Sequence, residues 1–454
     1  MSLRISFSIG AIALIFSSGI HALDLKEALE RAEQYDATLR GALADYMAVE
    51  ELYPQSRANL LPDLTASGFY QRNDTSRENS TGSIGNVDSN YTDKGYDVTL
   101  NQVLFNKAFW DAMEQSQELV AQAAASYEVA KQNLIIRVAE AYFNVLGAQD
   151  NVAFTKAEKE AFGRQLEQSQ ERFNVGLIAI TDVRESQASY DNAVANEIVA
   201  RNTLRNSIEA LRVIVGDPID ELVPLAEKFP LLLPEPADIN QWQGRALDGN
   251  LNLKASRFGL TAAKENYEAN RAGHYPILNL NAAHTYDSAD GSVFGGTFGG
   301  ADNTRNSVGA QLQIPIYQGG GISSRVRQAN AEVWSAQAAV DQATRITVQE
   351  VRNAYLGVEA SVSSVQAFYQ ALISAETSVE ATEAGFDAGT RTSVDVLLVQ
   401  SRQYEAARNY ARSRYEYLLV LLQLQRATGS LTREDVWKMN EWLVRNDTNQ
   451  TRKY

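Results

Sequence analysis

Four segments of the chain alternate apolar and polar residues with a period of two, the signature of strands. In Ile277–Asp287, Leu278, Leu280, Ala282 and Tyr286 fall on one face and Asn279, Asn281 and Thr285 on the other. In Asn306–Tyr317, Val308, Ala310, Leu312 and Ile314 oppose Ser307, Gln311 and Gln313. Leu64–Gln71 and Gly95–Phe105 form an earlier pair, with Val98 and Leu100 set against Asp97, Thr99 and Asn101. One face is mostly aliphatic and the other mostly polar and uncharged. Phe69, Tyr70, Tyr96, Phe105, Tyr275, Tyr286 and Tyr317 gather near the strand ends. Strands of about ten alternating residues with aromatic ends suit an outer-membrane barrel. The same alternation also suits a soluble hairpin with one face on a core. The intervening stretches 72–94 and 288–305 are rich in Gly, Asn, Asp and Ser and read as surface loops.

Elsewhere the period changes to that of a coiled coil. Asn106–Asn174 contains no proline and predicts one helix of about 100 Å. Ala148, Val152, Thr155, Lys159, Phe162, Leu166, Ser169 and Phe173 recur at spacings of four and three, the interval of a coiled-coil seam. Ser361, Val365, Phe368, Leu372, Ala375, Val379, Thr382 and Phe386 repeat that spacing later. Gly176 and Gly389 then close the helices at tight turns, in the position that favours a left-handed residue. Return helices are predicted over Thr181–Val215 and Thr392–Thr428, with Thr181 and Thr392 as their N-caps. Shorter helices precede the strands, over Asp24–Arg57 and Asn240–Arg271.

These parallels are a tandem duplication. At an offset of 213, Phe173, Gly176, Asp182, Val183 and Gln187 match Phe386, Gly389, Asp395, Val396 and Gln400. The chain thus divides into a first repeat at 23–216, a proline-rich linker at 217–240 and a second repeat at 241–430. A C-terminal segment ending in a polar tail occupies 431–454. Five of the nine prolines lie in that linker.

Composition removes several alternatives. Met1–Ala22 has one basic residue, a short apolar run and small residues before Ala22, which is a secretory signal peptide. Its removal takes Arg4 with it and moves the formal charge from −15 to −16. So acidic a chain is a poor match for nucleic acid, whose phosphates dominate such binding. There is no cysteine and there are three histidines, His21, His274 and His284. Thiolate metal sites and Cys nucleophiles are excluded, and a His-based triad has little to draw on. With no phosphate-binding loop either, the expectation is no enzyme and no cofactor. No later stretch has the apolar length of a transmembrane helix. Any membrane crossing therefore falls to the strands. Four strands cannot close a barrel, and an open edge cannot sit in lipid. A spanning protein must then oligomerise: a dimer supplies eight strands and a trimer twelve.

The tip sequences RFNVGLIAITDV and GTRTSVDVLL, with the duplicated plan and the proline-rich linker, resemble the TolC family of outer-membrane efflux and type I secretion channels. The likeness covers essentially the whole mature chain. It implies an α+β membrane protein: a homotrimer with a 12-stranded β-barrel on a long α-helical coiled-coil tunnel. It also implies an outer-membrane exit duct with a periplasmic extension. Its partners would be outer-membrane lipid, a periplasmic membrane-fusion adaptor and an inner-membrane transporter of the ABC or RND type. By the same resemblance, Thr181, Asp182, Phe386 and Arg391 stand at the entrance gate, Phe386 where relatives often carry a tyrosine. Asp395 would form a ring for polyvalent cations. Val175, Gly176, Leu177, Ala388, Gly389 and Thr390 would be the tips that dock the adaptor.

Overall fold

A computed structural model describes residues 22–77, 87–219, 221–293 and 296–444. The signal segment, except its last residue, and the polar tail after Val444 lie outside them. The element order reads twice. The first pass is α1 (Leu25–Tyr35), α2 (Ala37–Glu50), α3 (Leu52–Ala58), β1 (Asp63–Arg77), β2 (Val87–Phe105), α4 (Lys107–Asn174) and α5 (Ile180–Val215). The second is α6 (Ile239–Gly249), α7 (Leu251–Arg271), β3 (Ile277–Val293), β4 (Gly296–Gln313), α8 (Gly321–Asp387) and α9 (Ser393–Ala427), followed by α10 (Arg433–Asn440). The two long helices run unbroken for 68 and 67 residues, as the proline-free stretches predicted.

The shorter helices differ from expectation. Asp24–Arg57 and Asn240–Arg271 are not single helices. They break at Asp36 and Asn250, residues at matching places in the two repeats. Each side chain turns back to accept from the amide three residues on: Asp36 Oδ1 from Leu39 at 2.7 Å, Asn250 Oδ1 from Leu253 at 3.0 Å. Short polar side chains of this kind compete with the helix for backbone amides and so start a new one.

The strands also differ from expectation. β1, β2, β3 and β4 reach far into 72–94 and 288–305, which composition had marked as loops. Polar residues pair well in a ladder that need not bury either face. At its other end β4 stops at Gln313, not Tyr317, because Pro315 has no amide to donate.

By its contacts the chain divides into two compact units, each drawing on both repeats. One comprises Met1–Leu39, Lys131–Gly244 and Glu350–Tyr454; the other comprises Arg40–Ala130 and Arg245–Gln349. In the first unit Tyr142, Phe143, Leu146, Leu211, Leu418 and Leu422 are almost fully buried. The Tyr142 hydroxyl reaches the carbonyls of Val223 at 2.8 Å and Leu23 at 3.1 Å, which ties the linker and the chain start to α4. Burial raises the Tyr142 pKa, so the hydroxyl stays protonated and able to donate. Arg137 on α4 adds a fork onto Asp36, at 2.9 and 3.0 Å.

The second unit holds one antiparallel sheet in the order β1-β2-β3-β4. The register sets Leu64, Leu100, Ala282 and Val308 side by side across all four strands. Leu278 meets Leu312 and Leu280 meets Ala310, so the aliphatic face is continuous. It is also bare: Leu64 is 67% exposed, Leu312 60% and Val308 78%. The other face is polar, with Thr65 and Thr99 hydroxyls 2.7 Å apart. Among the described residues β1 pairs only with β2, and β4 only with β3. Among the described residues no helix is long and apolar enough to cross a membrane.

Candidate functional site

The first unit carries the turn ends of two helical hairpins, α4–α5 and α8–α9. Both long helices end in the same turn. The amide of Gly176 donates to the Phe173 carbonyl and that of Leu177 to the Arg172 carbonyl, each at 2.9 Å. In the second turn Gly389 donates to Phe386 at 3.0 Å and Thr390 to Gly385 at 2.8 Å. This is the Schellman pattern, which leaves the central residue left-handed. Gly176 has φ +79° and Gly389 +76°, so glycine is required at both by the backbone. The surrounding space is open at each.

The return helices start differently. α9 begins with a capping box: Thr392 Oγ1 accepts from the Asp395 amide at 3.2 Å, and Asp395 Oδ2 accepts from the Thr392 amide at 2.9 Å. The same oxygen accepts from the Thr392 hydroxyl at 2.9 Å. These bonds, the backbone one foremost, hold the Asp395 carboxyl below its ordinary pKa. α5 begins one residue earlier than predicted. Its cap is Ala179, whose methyl group accepts no hydrogen bond, and Thr181 sits exposed inside the first turn. Thr181 is therefore not the N-cap. Asp182 occupies the position that Asp395 occupies in α9, but has no capping hydroxyl to exchange with.

The predicted gate residues are divided between the tips. Thr181 and half-buried Asp182 lie on α5, and exposed Arg391 lies in the α8–α9 turn. Among the described residues, Arg391 forms no ion pair with Asp182 within the chain. Phe386 is 6% exposed, beneath the Arg172 guanidinium, which lies 4.0 Å from the ring centroid. Arg172 also approaches Asp387 at 3.8 Å. The clasp joins α4 to α8 across 214 residues of sequence, and no local period marks Arg172 for it. The docking positions Val175, Gly176, Leu177, Ala388, Gly389 and Thr390 are all exposed.

Below the turns the seam is partly polar. Ser169 and Ser186 hydroxyls meet at 3.1 Å in a buried spot, and Phe162, Ala193 and Leu397 form an apolar cluster with Tyr190. Glu197 on α5 lies between Lys159 at 2.6 Å and Arg201 at 2.6 Å; hydrogen bonds from both lower its pKa. Arg408 on α9 reaches buried Glu158 on α4 at 3.0 Å and links the two hairpins.

A model of the family described as "Outer membrane efflux protein" matches residues 28–217 and 242–430. The chain belongs to the outer membrane efflux protein family. It is 36% identical over 446 residues to the outer membrane protein TolC of Vibrio cholerae, covering 98% of each chain. It is 30% identical over 442 residues to the alkaline protease secretion protein AprF of Pseudomonas aeruginosa, covering 94% of this chain and 89% of AprF. In fold it resembles the CmeC outer membrane channel of Campylobacter jejuni, with a TM-score of 0.76, 17% identity and 98% of each chain covered. The protein is thus an outer-membrane exit duct of the kind that serves efflux and secretion systems. It has a helical periplasmic part and belongs to a family of channels.

Proposed function

We propose that three copies of this chain close a single twelve-stranded barrel. They pass cargo that an inner-membrane transporter of the ABC or RND type delivers through a periplasmic adaptor. The observation that carries this reading is the four-stranded sheet, with its aligned, bare aliphatic face and two unpartnered edges. Such edges must be satisfied before the face can meet lipid, and pairing β4 of one copy with β1 of the next does so. Three copies match the symmetry of the family resemblance. The outer membrane efflux family and the protease secretion protein AprF as a relative support both efflux and protein secretion as routes.

The tips carry the regulation. Arg391 of one hairpin offers a planar donor fork to Asp182 and the Thr181 turn of a neighbouring coil, and these contacts close the entrance. Phe386 brings no hydroxyl and packs beneath Arg172, so it shapes the turn and makes no latch bond. Asp395 keeps one oxygen beyond its cap, and three copies would bring three carboxylates around the axis for a polyvalent cation. The exposed turns 175–177 and 388–390 dock the adaptor.

Barrel placement has a direct test. Leu280→Arg or Leu312→Arg should cost about 2–4 kcal/mol if the residue lies near the midplane. Gln311→Arg, next to Leu312 but on the polar face, should be tolerated. The readout is the yield of heat-modifiable trimer in outer-membrane fractions. Equal tolerance on both faces would remove the barrel and leave a periplasmic coiled-coil scaffold.

A further inference from the structure

We propose that Asp111, Glu114 and Glu265 hold a calcium ion that staples α4 to α7. This site is separate from the hairpin tips and independent of the duct reading. Asp111 and Glu114 lie three residues apart on α4 and so share one face of the helix. Glu265 comes from α7. One carboxylate oxygen from each residue lies within 4.8 Å of the others. The helices run close in the second unit: a Cβ at Gly259 on α7 would stand 3.1 Å from the Gln122 amide nitrogen on α4.

The second observation is an orphaned oxygen. Asp111 is 1% exposed, and its Oδ1 is taken by Lys107. Its Oδ2 is buried with no hydrogen-bond partner among the described residues. A buried carboxylate oxygen with no donor is costly, and a bound cation satisfies it. The charge count agrees, since three carboxylates face one lysine.

The donors select the metal. Three carboxylates with no His or Cys favour a hard cation over zinc or copper. Calcium, with contacts of about 2.3–2.6 Å and tolerant geometry, bridges oxygens up to about 4.8 Å apart. Magnesium, at about 2.1 Å in strict octahedral geometry, needs a tighter cage. Glu114 is exposed, so water can complete the shell.

The test uses full-length protein in detergent carrying Asp395→Ala, which removes the tip carboxylate from the measurement. Terbium, a luminescent stand-in for calcium, should bind and be sensitised by Trp110, the residue beside Asp111. Calcium should displace it at lower concentration than magnesium. Adding Glu265→Gln should weaken terbium binding about tenfold or more, because one of three charged ligands is neutralised. Asp111→Asn should do the same, but it also strips Lys107 of its counter-ion, so Glu265→Gln decides, with an unchanged circular-dichroism spectrum as the folding control. No sensitised binding, or equal binding in Glu265→Gln, would overturn the site. Equal displacement by magnesium would overturn calcium as its occupant.

Discussion

The two hairpin tips share a turn and differ in how their return helices begin. Gly176 and Gly389 close α4 and α8 through the same pair of backbone bonds. A few residues later the copies diverge. Ala179 stands where the other repeat has Thr392, and Ile178 where it has Arg391. As a result Asp395 is committed to its own cap, whereas Asp182 at the equivalent place is not. Duplication supplied two matching backbones. Two differing positions then gave one tip an exposed cation and the other an uncapped carboxylate. That asymmetry would let Arg391 of one hairpin meet Asp182 of its neighbour in the latch proposed above.

The largest effect should come from removing the charge that distinguishes the tips. Arg391→Ser should raise single-channel conductance in planar bilayers several-fold, while Ile178→Ser at the matching position should leave it unchanged. A wild-type conductance in Arg391→Ser would mean the asymmetry has no part in closing the duct. The shared turn should respond symmetrically. Gly176→Ala and Gly389→Ala should each weaken the local fold by about 1–2 kcal/mol, the cost of a left-handed residue with a side chain. Hydrogen exchange of the two turns reads this, and unequal losses would show that the turns are not equivalent.

The caps should respond asymmetrically and more weakly. Thr392→Ala should cost about 1 kcal/mol, whereas Ala179→Thr should gain a few tenths to about 1 kcal/mol by building the missing box. Both appear as changes in local opening of the first turns of α9 and α5. The smallest expected difference is in pH. The folded Asp395 pKa is depressed, so its cap contributes fully above the ordinary carboxylate range. That contribution is lost as pH falls through the folded value. The start of α9 should loosen in acid while the start of α5, without a box, should not. Parallel loosening of both would mean the box does not govern α9.

Much of this was legible in the chain. The duplication, the long proline-free helices and the tip glycines could be read directly, because each rests on local backbone rules. Strand faces were legible too, since Leu278, Leu280, Leu312 and Val308 keep strict alternation. The strand lengths were not: residues such as Asn73, Asp74, Asn303 and Thr304 look like loop residues, yet pair in a ladder whose upper part needs no apolar side chains. The breaks at Asp36 and Asn250 were missed because Asp and Asn inside an amphipathic pattern read as its polar face. The spacing to Leu39 and Leu253 was the available signal. The Arg172 clasp and the Asp111–Glu265 pair join residues distant in sequence, and no local period reports such contacts.

The bare edges of β1 and β4 also set terms for biogenesis. Until they pair, each is a template for any extended peptide it meets. A lone subunit is then a kinetic intermediate with two competing fates, productive closure or off-pathway pairing. Under the three-copy reading, closure needs partners at the same place, so its rate should climb steeply with the local supply of newly exported chains. Off-pathway pairing with other polypeptides needs no such coincidence. Yield in the cell would therefore depend on how synthesis is timed and clustered as much as on how stable the finished duct is.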